Sequence, residues 1–525
     1  MRSHIDDHRN PEPSRTGDAK RNGPLVVGAE NDNQGSYDSE LRRKTRVSIL
    51  WVAVRLASNQ LFAFIVFVVL ARILSPHDIG TFAIVTLFSE FGRILANGGL
   101  VNYIARTRTL SPELLDTIFW VNMVLACVTA ATVILLANPV LVALGQPYAA
   151  HPLMVVAALL PIVAAGASHA ALCMRQFSHK SLAIRTAISG TCGGGAAIVA
   201  AYFGWGIWSL VVQRVVTEIV NTFVSWQAYR WTPGRKFDLE KLKEVWGFGA
   251  NMAFAQVIFL FLVRIQDLII GATISAAAVG IYRTAWRMTE LVTNGAIQPF
   301  TTVAIQTFSR LQDNHADLVK AYRSMILASS MVSFPALVGF GVIAPDAVPV
   351  IYGSQWVEAG ALAQIFALMV VPFTLNYFAS PMLSAVGRGA DMRTLSILQL
   401  SLTLGMTWIA APYGIVAVAC AYVARAYLTF PINLWLLKKR AGIAYAETVR
   451  ASMPPFLASC LMGAGVWVFM HFARAHFSSP LQLVLVAVVF GFVLYASLLP
   501  AISADARRML MRRFAKRRSG GGGDQ

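Results

Sequence analysis

Eight arginines and four acids stand inside long apolar runs of this chain: Arg55, Arg72, Arg93, Arg214, Arg264, Arg283, Arg287 and Arg425, with Glu90, Glu218, Asp267 and Glu290. Inside a bilayer each such charge costs on the order of 3 kcal/mol, so it is expected to face a partner or a cavity. Glu90 and Arg93, Arg264 and Asp267, and Arg287 and Glu290 are three residues apart, and Arg214 and Glu218 are four apart. At those spacings two side chains share a helix face, so each acid is expected to form a neutral structural pair. Arg72 lies near the end of its run and is expected to snorkel. Arg55, Arg283 and Arg425 have no partner on their own helix. At the helical rise Arg55 lies ~12 Å into the first run and Arg425 ~18 Å into the twelfth. Both admit two readings, contact with a substrate or a structural role between helices. Arg283, Arg287 and Glu290 follow an i, i+4, i+7 stripe on one face. The surplus of guanidinium, which grips phosphate oxygens bidentately, points to a phosphate-bearing anion as cargo. Arg55, Arg283, Arg287 and Arg425 are therefore the candidate substrate-binding residues. Glu90, Asp267 and Glu290 are candidate proton- or sodium-coupling sites, with the structural pairs as the alternative.

The elements that must position these charges are membrane helices. The chain has 525 residues, 56% hydrophobic and only 13% charged, about half the charged share of a soluble domain. A soluble core could not hide that much apolar surface. The composition therefore predicts an all-α polytopic membrane protein. Fourteen runs are long enough to span at ~20 residues each: 47–74, 79–104, 117–137, 151–174, 182–203, 207–229, 249–273, 279–306, 322–345, 359–384, 394–411, 413–437, 453–471 and 480–502. Residues 1–40 are polar, lack the apolar core of a signal peptide, and are expected to be a disordered tail. The first apolar helix is then its own insertion signal.

The net charge of +18 is topological. With the N-terminus inside, the breaks between runs and the tail 503–525 place thirty Lys and Arg on the inner side and only Arg474 outside. The positive-inside rule thus supports fourteen spans with both termini cytoplasmic. It removes nucleic acid as a partner and leaves bilayer lipid for the basic tail.

An internal repeat is expected at an offset of 200. Leu74-Ser75 and Ile79-Gly80-Thr81-Phe82 match Ile274-Ser275 and Val279-Gly280-Ile281-Tyr282, and Glu90 falls on Glu290. Gly206-Ile207 and Gly414-Ile415 echo more loosely. Six runs per repeat give two six-helix bundles of like orientation, 41–248 and 249–440, with helices 13 and 14 in 441–502 as accessories. Paired halves are a transporter architecture. The five cysteines form no CxxC and are expected to be small core residues. The nine histidines form no HExxH. There is no Walker A motif and no large outside loop for catalysis, so no cofactor, metal or enzyme activity is expected.

The punctuation between the runs resembles the polysaccharide-transport branch of the MOP transporter superfamily, the Wzx-like lipid-linked oligosaccharide flippases. The resembling residues are Leu74-Ser75-Pro76-x-Asp78-x-Gly80, Gly98-Gly99-Leu100, Phe119-Trp120, Arg175-x-Phe177 and Gly204-Trp205-Gly206-Ile207-Trp208-Ser209-Leu210. In the second half they are Asp267-Leu268-Ile269-Ile270-Gly271, Gly280-x-Tyr282, Phe308-Ser309-Arg310-Leu311-Gln312, Gly353-x-x-Trp356 and Gly387-Arg388. The resemblance implies two bundles around a V-shaped cavity. It implies outward flipping of an undecaprenyl-pyrophosphate-linked repeat unit across a bacterial inner membrane, for exopolysaccharide or lipopolysaccharide synthesis. A polysaccharide polymerase is then a candidate partner. The family's usual Asn-x-Asp reads Ile265-Gln266-Asp267 here, with Arg264 added. The rival reading is a multidrug or small-molecule exporter of the same superfamily. Such an exporter needs a net acidic cavity for cationic drugs, against eight cations and four acids here.

Overall fold

A computed structural model describes residues 60–107, 110–175, 179–234, 237–387, 389–502 and 507. All belong to one compact unit, Asn59–Gln525. Arg55, the tail 1–40 and all of 503–525 except Arg507 lie outside the described residues.

The described residues are helical. In chain order the α-helices are α1 Gln60–Ile73, α2 Pro76–Asn97, α3 Leu100–Arg106, α4 Pro112–Ala143, α5 Ala150–Ala157, α6 Leu160–Arg175, α7 His179–Tyr202, α8 Ile207–Ala228 and α9 Leu239–Thr273. They continue with α10 Ala276–Arg310, α11 His315–Tyr352, α12 Val357–Ala367, α13 Val370–Asn376, α14 Ala379–Ala385, α15 Gly389–Ala410, α16 Ile415–Ala441, α17 Tyr445–Ala473 and α18 Pro480–Ile502. Among the described residues nine helices are long and apolar enough to cross a bilayer, and eleven if each of two bent pairs counts as one span. The runs at 47–74, 182–203 and 279–306 fall on α1, α7 and α10. Of these, α1 is described only from Gln60, and Arg283, Arg287 and Glu290 dilute the apolar character of α10. Large side chains such as Leu135, Trp467 and Phe492 are more than 60% exposed. Water would penalise that surface and lipid would not, as a multi-pass membrane protein requires.

Local signals explain the helix boundaries. Ser75 caps α2, accepting from the Asp78 backbone N–H at 3.2 Å while the Asp78 carboxylate accepts from the Ser75 N–H at 3.1 Å, a reciprocal capping box. The other Asp78 oxygen accepts from the Ile207 N–H at 3.1 Å. One residue thereby fastens the starts of α2 and α8. Ser275 caps α10 in the same way, through the Ala278 N–H at 3.1 Å. The run 79–104 is not one helix. It breaks at Gly98 and Gly99, whose φ angles of 50° and 69° end α2 in the left-handed region that glycine tolerates.

Two helix breaks recur six runs apart. The fourth run is a helix pair bent by 44°, and the tenth, six runs later, a pair bent by 58°. A short 3₁₀ turn, Pro147–Ala149 or Ser354–Trp356, precedes each pair. α2 and α10, which the offset of 200 equates, pack against each other. A buried cluster joins Leu70 of α1 and Ile84 of α2 to Ile270, Val279 and Trp356 of the second half. α17 and α18 pack on each other and on α11, through Met462, Met470 and Leu483.

All five cysteines are free, but only Cys173 is buried. The expectation of core cysteines fails for the other four because a membrane bundle turns small apolar residues outward as readily as inward.

Candidate functional site

The intramembrane charges are brought together mainly by α2, α9 and α10. α9 and α10 are consecutive helices joined by a short turn, so residues near that turn face across it. Arg283 of α10 donates through Nε to Asp267 Oδ2 of α9 at 2.6 Å, and its Nη2 contacts the same oxygen. The Asp267 side chain is fully buried. Arg264 Nη1 lies 3.7 Å from that oxygen, and Arg264 Nε lies 3.6 Å from Glu90 Oε2 of α2. Glu90, Arg264, Asp267 and Arg283 thus form a neutral ladder of two acids and two cations from the first half into the second.

This pairing corrects the one read along single helices. Arg283, expected to lack a partner, has Asp267. Glu90 is paired with Arg264 rather than Arg93. Glu290 is exposed and forms no salt bridge with Arg287 or any other cation among the described residues. The expected Arg214–Glu218 pair is present at 3.0 Å. The expected Arg264–Asp267 pair is present too, at 3.7 Å; helix spacing registers only such neighbours on one helix, and the Arg283–Asp267 and Glu90–Arg264 pairs each join two helices. Arg72 does not simply snorkel. It donates to the Ile351 and Val350 carbonyls at 2.9 and 2.6 Å, at the C-terminal end of α11, where unpaired carbonyls favour a cation.

Four described intramembrane arginines face no carboxylate: Arg72 is held by carbonyls, Arg93 is exposed, and Arg287 and Arg425 lie on aromatic rings. The Arg287 guanidinium lies 4.1 Å over the Phe67 ring and donates to the Ala63 carbonyl at 3.3 Å, both on α1. The Arg425 guanidinium lies 4.5 Å over Tyr422, and its buried Nε has no acceptor. Tyr422 meets Trp286 edge-on at 5.3 Å, which links the α16 cation to the residue beside Arg287. Cation–π contact holds a guanidinium without neutralising it. An anion arriving there would find free N–H donors.

A polar chain that charge counting missed runs alongside. The Tyr282 hydroxyl donates to Gln266 Oε1 at 2.7 Å, and Gln266 Nε2 donates to Thr407 at 3.2 Å. This gives Gln266 a structural task between α9, α10 and α15. His169 also has a structural explanation: it stacks on Trp226 at 4.4 Å and bonds the Trp231 carbonyl at 2.9 Å.

With this geometry in hand, the family described as "Polysaccharide biosynthesis protein" matches residues 69–361, more than half the chain. The chain belongs to that family. Among curated relatives, the succinoglycan biosynthesis transport protein ExoT of Rhizobium meliloti (strain 1021) is 23% identical over 449 residues, 85% of this chain and 91% of its own. The teichuronic acid biosynthesis protein TuaB of Bacillus subtilis (strain 168) is 22% identical over 88% of this chain and 96% of its own. The lipopolysaccharide biosynthesis protein WzxC of Escherichia coli (strain K12) is 22% identical over 65% and 69%. Among solved structures, the lipid II flippase MurJ in an inward closed conformation superposes with a TM-score of 0.71 at 10% identity, covering 87% of this chain and 99% of that one. An inward-facing MATE transporter of the MOP superfamily gives 0.58 at 15% identity, covering 73% and 94%. This member of the polysaccharide biosynthesis family therefore has the MOP transporter fold. These matches agree with the polysaccharide-transport branch that its sequence punctuation resembles, and its helices make it a multi-pass membrane protein of the polysaccharide biosynthesis family.

Proposed function

We propose that the protein flips a lipid-pyrophosphate-linked oligosaccharide repeat unit outward across a bacterial inner membrane by alternating access of two six-helix halves. Both termini are cytoplasmic and fourteen segments span. Arg287 and Arg425, with Arg55, hold the pyrophosphate. Arg283 is neutralised by Asp267 and has a positioning role. The observation that carries this reading is Arg425: a guanidinium in an apolar bundle, stacked on Tyr422, with a buried Nε that nothing satisfies. Such an orphaned charged donor is costly unless a ligand uses it. The names of the relatives ExoT and WzxC support the cargo class. The rival multidrug reading needs an acidic surplus. Here the four-residue ladder is neutral, and Arg287 and Arg425 outweigh Glu290. Of the three candidate coupling acids, Glu290 alone has no salt-bridge partner among the described residues, so it is the one free to bind a proton or sodium. Glu90 and Asp267 serve the ladder.

The test is polysaccharide export by cells carrying Arg425→Ala or Arg425→Lys. Alanine is expected to cut export at least tenfold at unchanged protein abundance. Lysine is expected to rescue partly, because it keeps the charge and loses the fork. Wild-type export by Arg425→Ala would remove Arg425 from the site.

A further inference from the structure

A second polar chamber lies apart from the arginines above, at the end of the first half where α2 gives way to α3. It is a half-open space of about 400 Å³ among α2, α3, α6, α7, α8 and α9 and is lined among others by Arg93, Asn97, Arg185, Glu218, Asn221 and Gln256. Three of its side chains leave a buried polar atom unsatisfied: Asn97 Oδ1, Asn221 Oδ1 and Arg185 Nε. Arg185 lies within α7 and donates to Ser225 Oγ at 3.1 Å. Glu218, 9% exposed and held by Arg214 at 3.0 Å, forms part of the wall.

A native protein satisfies nearly all its buried polar atoms, so three orphans around one cavity call for a ligand. Their chemistry restricts which one. The orphans are two acceptors and one donor, beside a carboxylate. A phosphate oxygen only accepts: Arg93 and Arg185 could donate to it, but each amide would meet it only with its nitrogen turned inward. A hydroxyl both donates and accepts, and it satisfies either orientation of each amide. We infer that this chamber binds the hydroxyl-rich sugar portion of the cargo, separately from the pyrophosphate site. The inference rests on the proposed function for the identity of the cargo and for the topology, which puts the chamber at the cytoplasmic end where a repeat unit would enter.

Saturation-transfer NMR on the full chain in nanodiscs tests this, with a neutral disaccharide (lactose) and inorganic pyrophosphate as separate probes. Wild type is expected to show transfer to both. In Asn97→Leu/Asn221→Leu, transfer to lactose is expected to fall at least tenfold while pyrophosphate binding stays within twofold. The thermal midpoint is expected to hold or rise, because an apolar isostere removes an unsatisfied polar atom. Arg425→Ala is expected to do the reverse, losing pyrophosphate and keeping lactose. No lactose transfer in wild type, unchanged transfer in the double variant, or a lowered midpoint would each overturn the chamber. Loss of pyrophosphate binding by no arginine variant would instead overturn the proposed anion site.

Discussion

Gly80 of α2 and Gly280 of α10 touch backbone to backbone. A Cβ on Gly80 would overlap the Ala276 carbonyl oxygen and lie 2.7 Å from the Gly280 nitrogen, while one on Gly280 would overlap the Pro76 carbonyl and lie 3.0 Å from the Gly80 nitrogen. The contact is reciprocal, and each residue touches the counterpart of what its equivalent touches, 200 positions away. The two halves are thus locked at the end that carries Ser75 and Ser275. Arg72 on the end of α11, and Trp356 donating to the Ala71 carbonyl at 2.8 Å, add to the lock.

Gly80→Ala is therefore expected to cost ~1–3 kcal/mol through overpacking, or to hold this end open. Both glycines sit in the second turn of their helices without a positive φ, so the effect comes from the approach of the helices and not from backbone freedom. Thermal midpoint and disulfide trapping between cysteines placed on α2 and α10 measure it. A Gly80→Ala protein with wild-type midpoint and wild-type trapping would remove the lock.

Asp267→Asn should strand Arg283 as a buried charge. Losing one member of a buried pair costs ~3–5 kcal/mol, so folded protein is expected to fall steeply. Asp267→Leu combined with Arg283→Met should recover most of it. Quantified membrane abundance and thermal midpoint decide. Normal abundance of Asp267→Asn would show that the pair is not structural.

The Glu90–Arg264 pair spans the halves, so it should couple energetically. Glu90→Gln and Arg264→Gln are each expected to destabilise, and the double variant to cost less than their sum by ~0.5–3 kcal/mol. A fully additive cycle would mean that the 3.6 Å contact contributes nothing.

Topology offers an independent check on the span count. Cysteines in 175–180, 230–248 and 438–450 are expected to label from the cytoplasm, and those in 138–150 and 346–358 from outside. One segment on the wrong side would break the fourteen-span assignment.

What the sequence made legible was local or periodic. Ser75 and Ser275 are legible as caps because a cap is set by residues three apart. The repeat is legible because Gly80 and Gly280 must both lack a side chain. The Arg264–Asp267 pair was legible from its spacing, but the partners across helices were not, since only packing brings Arg283 to Asp267 and Arg264 to Glu90. The chamber was hidden for a similar reason. Arg185, Asn97 and Asn221 are ordinary polar residues in the sequence, and only packing brings them around one space.

In the proposed mechanism, arginines without a carboxylate partner carry a pyrophosphate-linked headgroup across the bilayer. Headgroup flipping in proteoliposomes, with potential, pH gradient and sodium gradient imposed separately, tests it most directly. An outward-positive potential favours outward movement of each negative charge by ~2.3 kcal/mol per 100 mV. Wild type is expected to flip the lipid-linked oligosaccharide faster under that potential, and Arg425→Ala at least tenfold slower under the same potential. Equal flipping by wild type, Arg425→Ala and protein-free vesicles would contradict the claim.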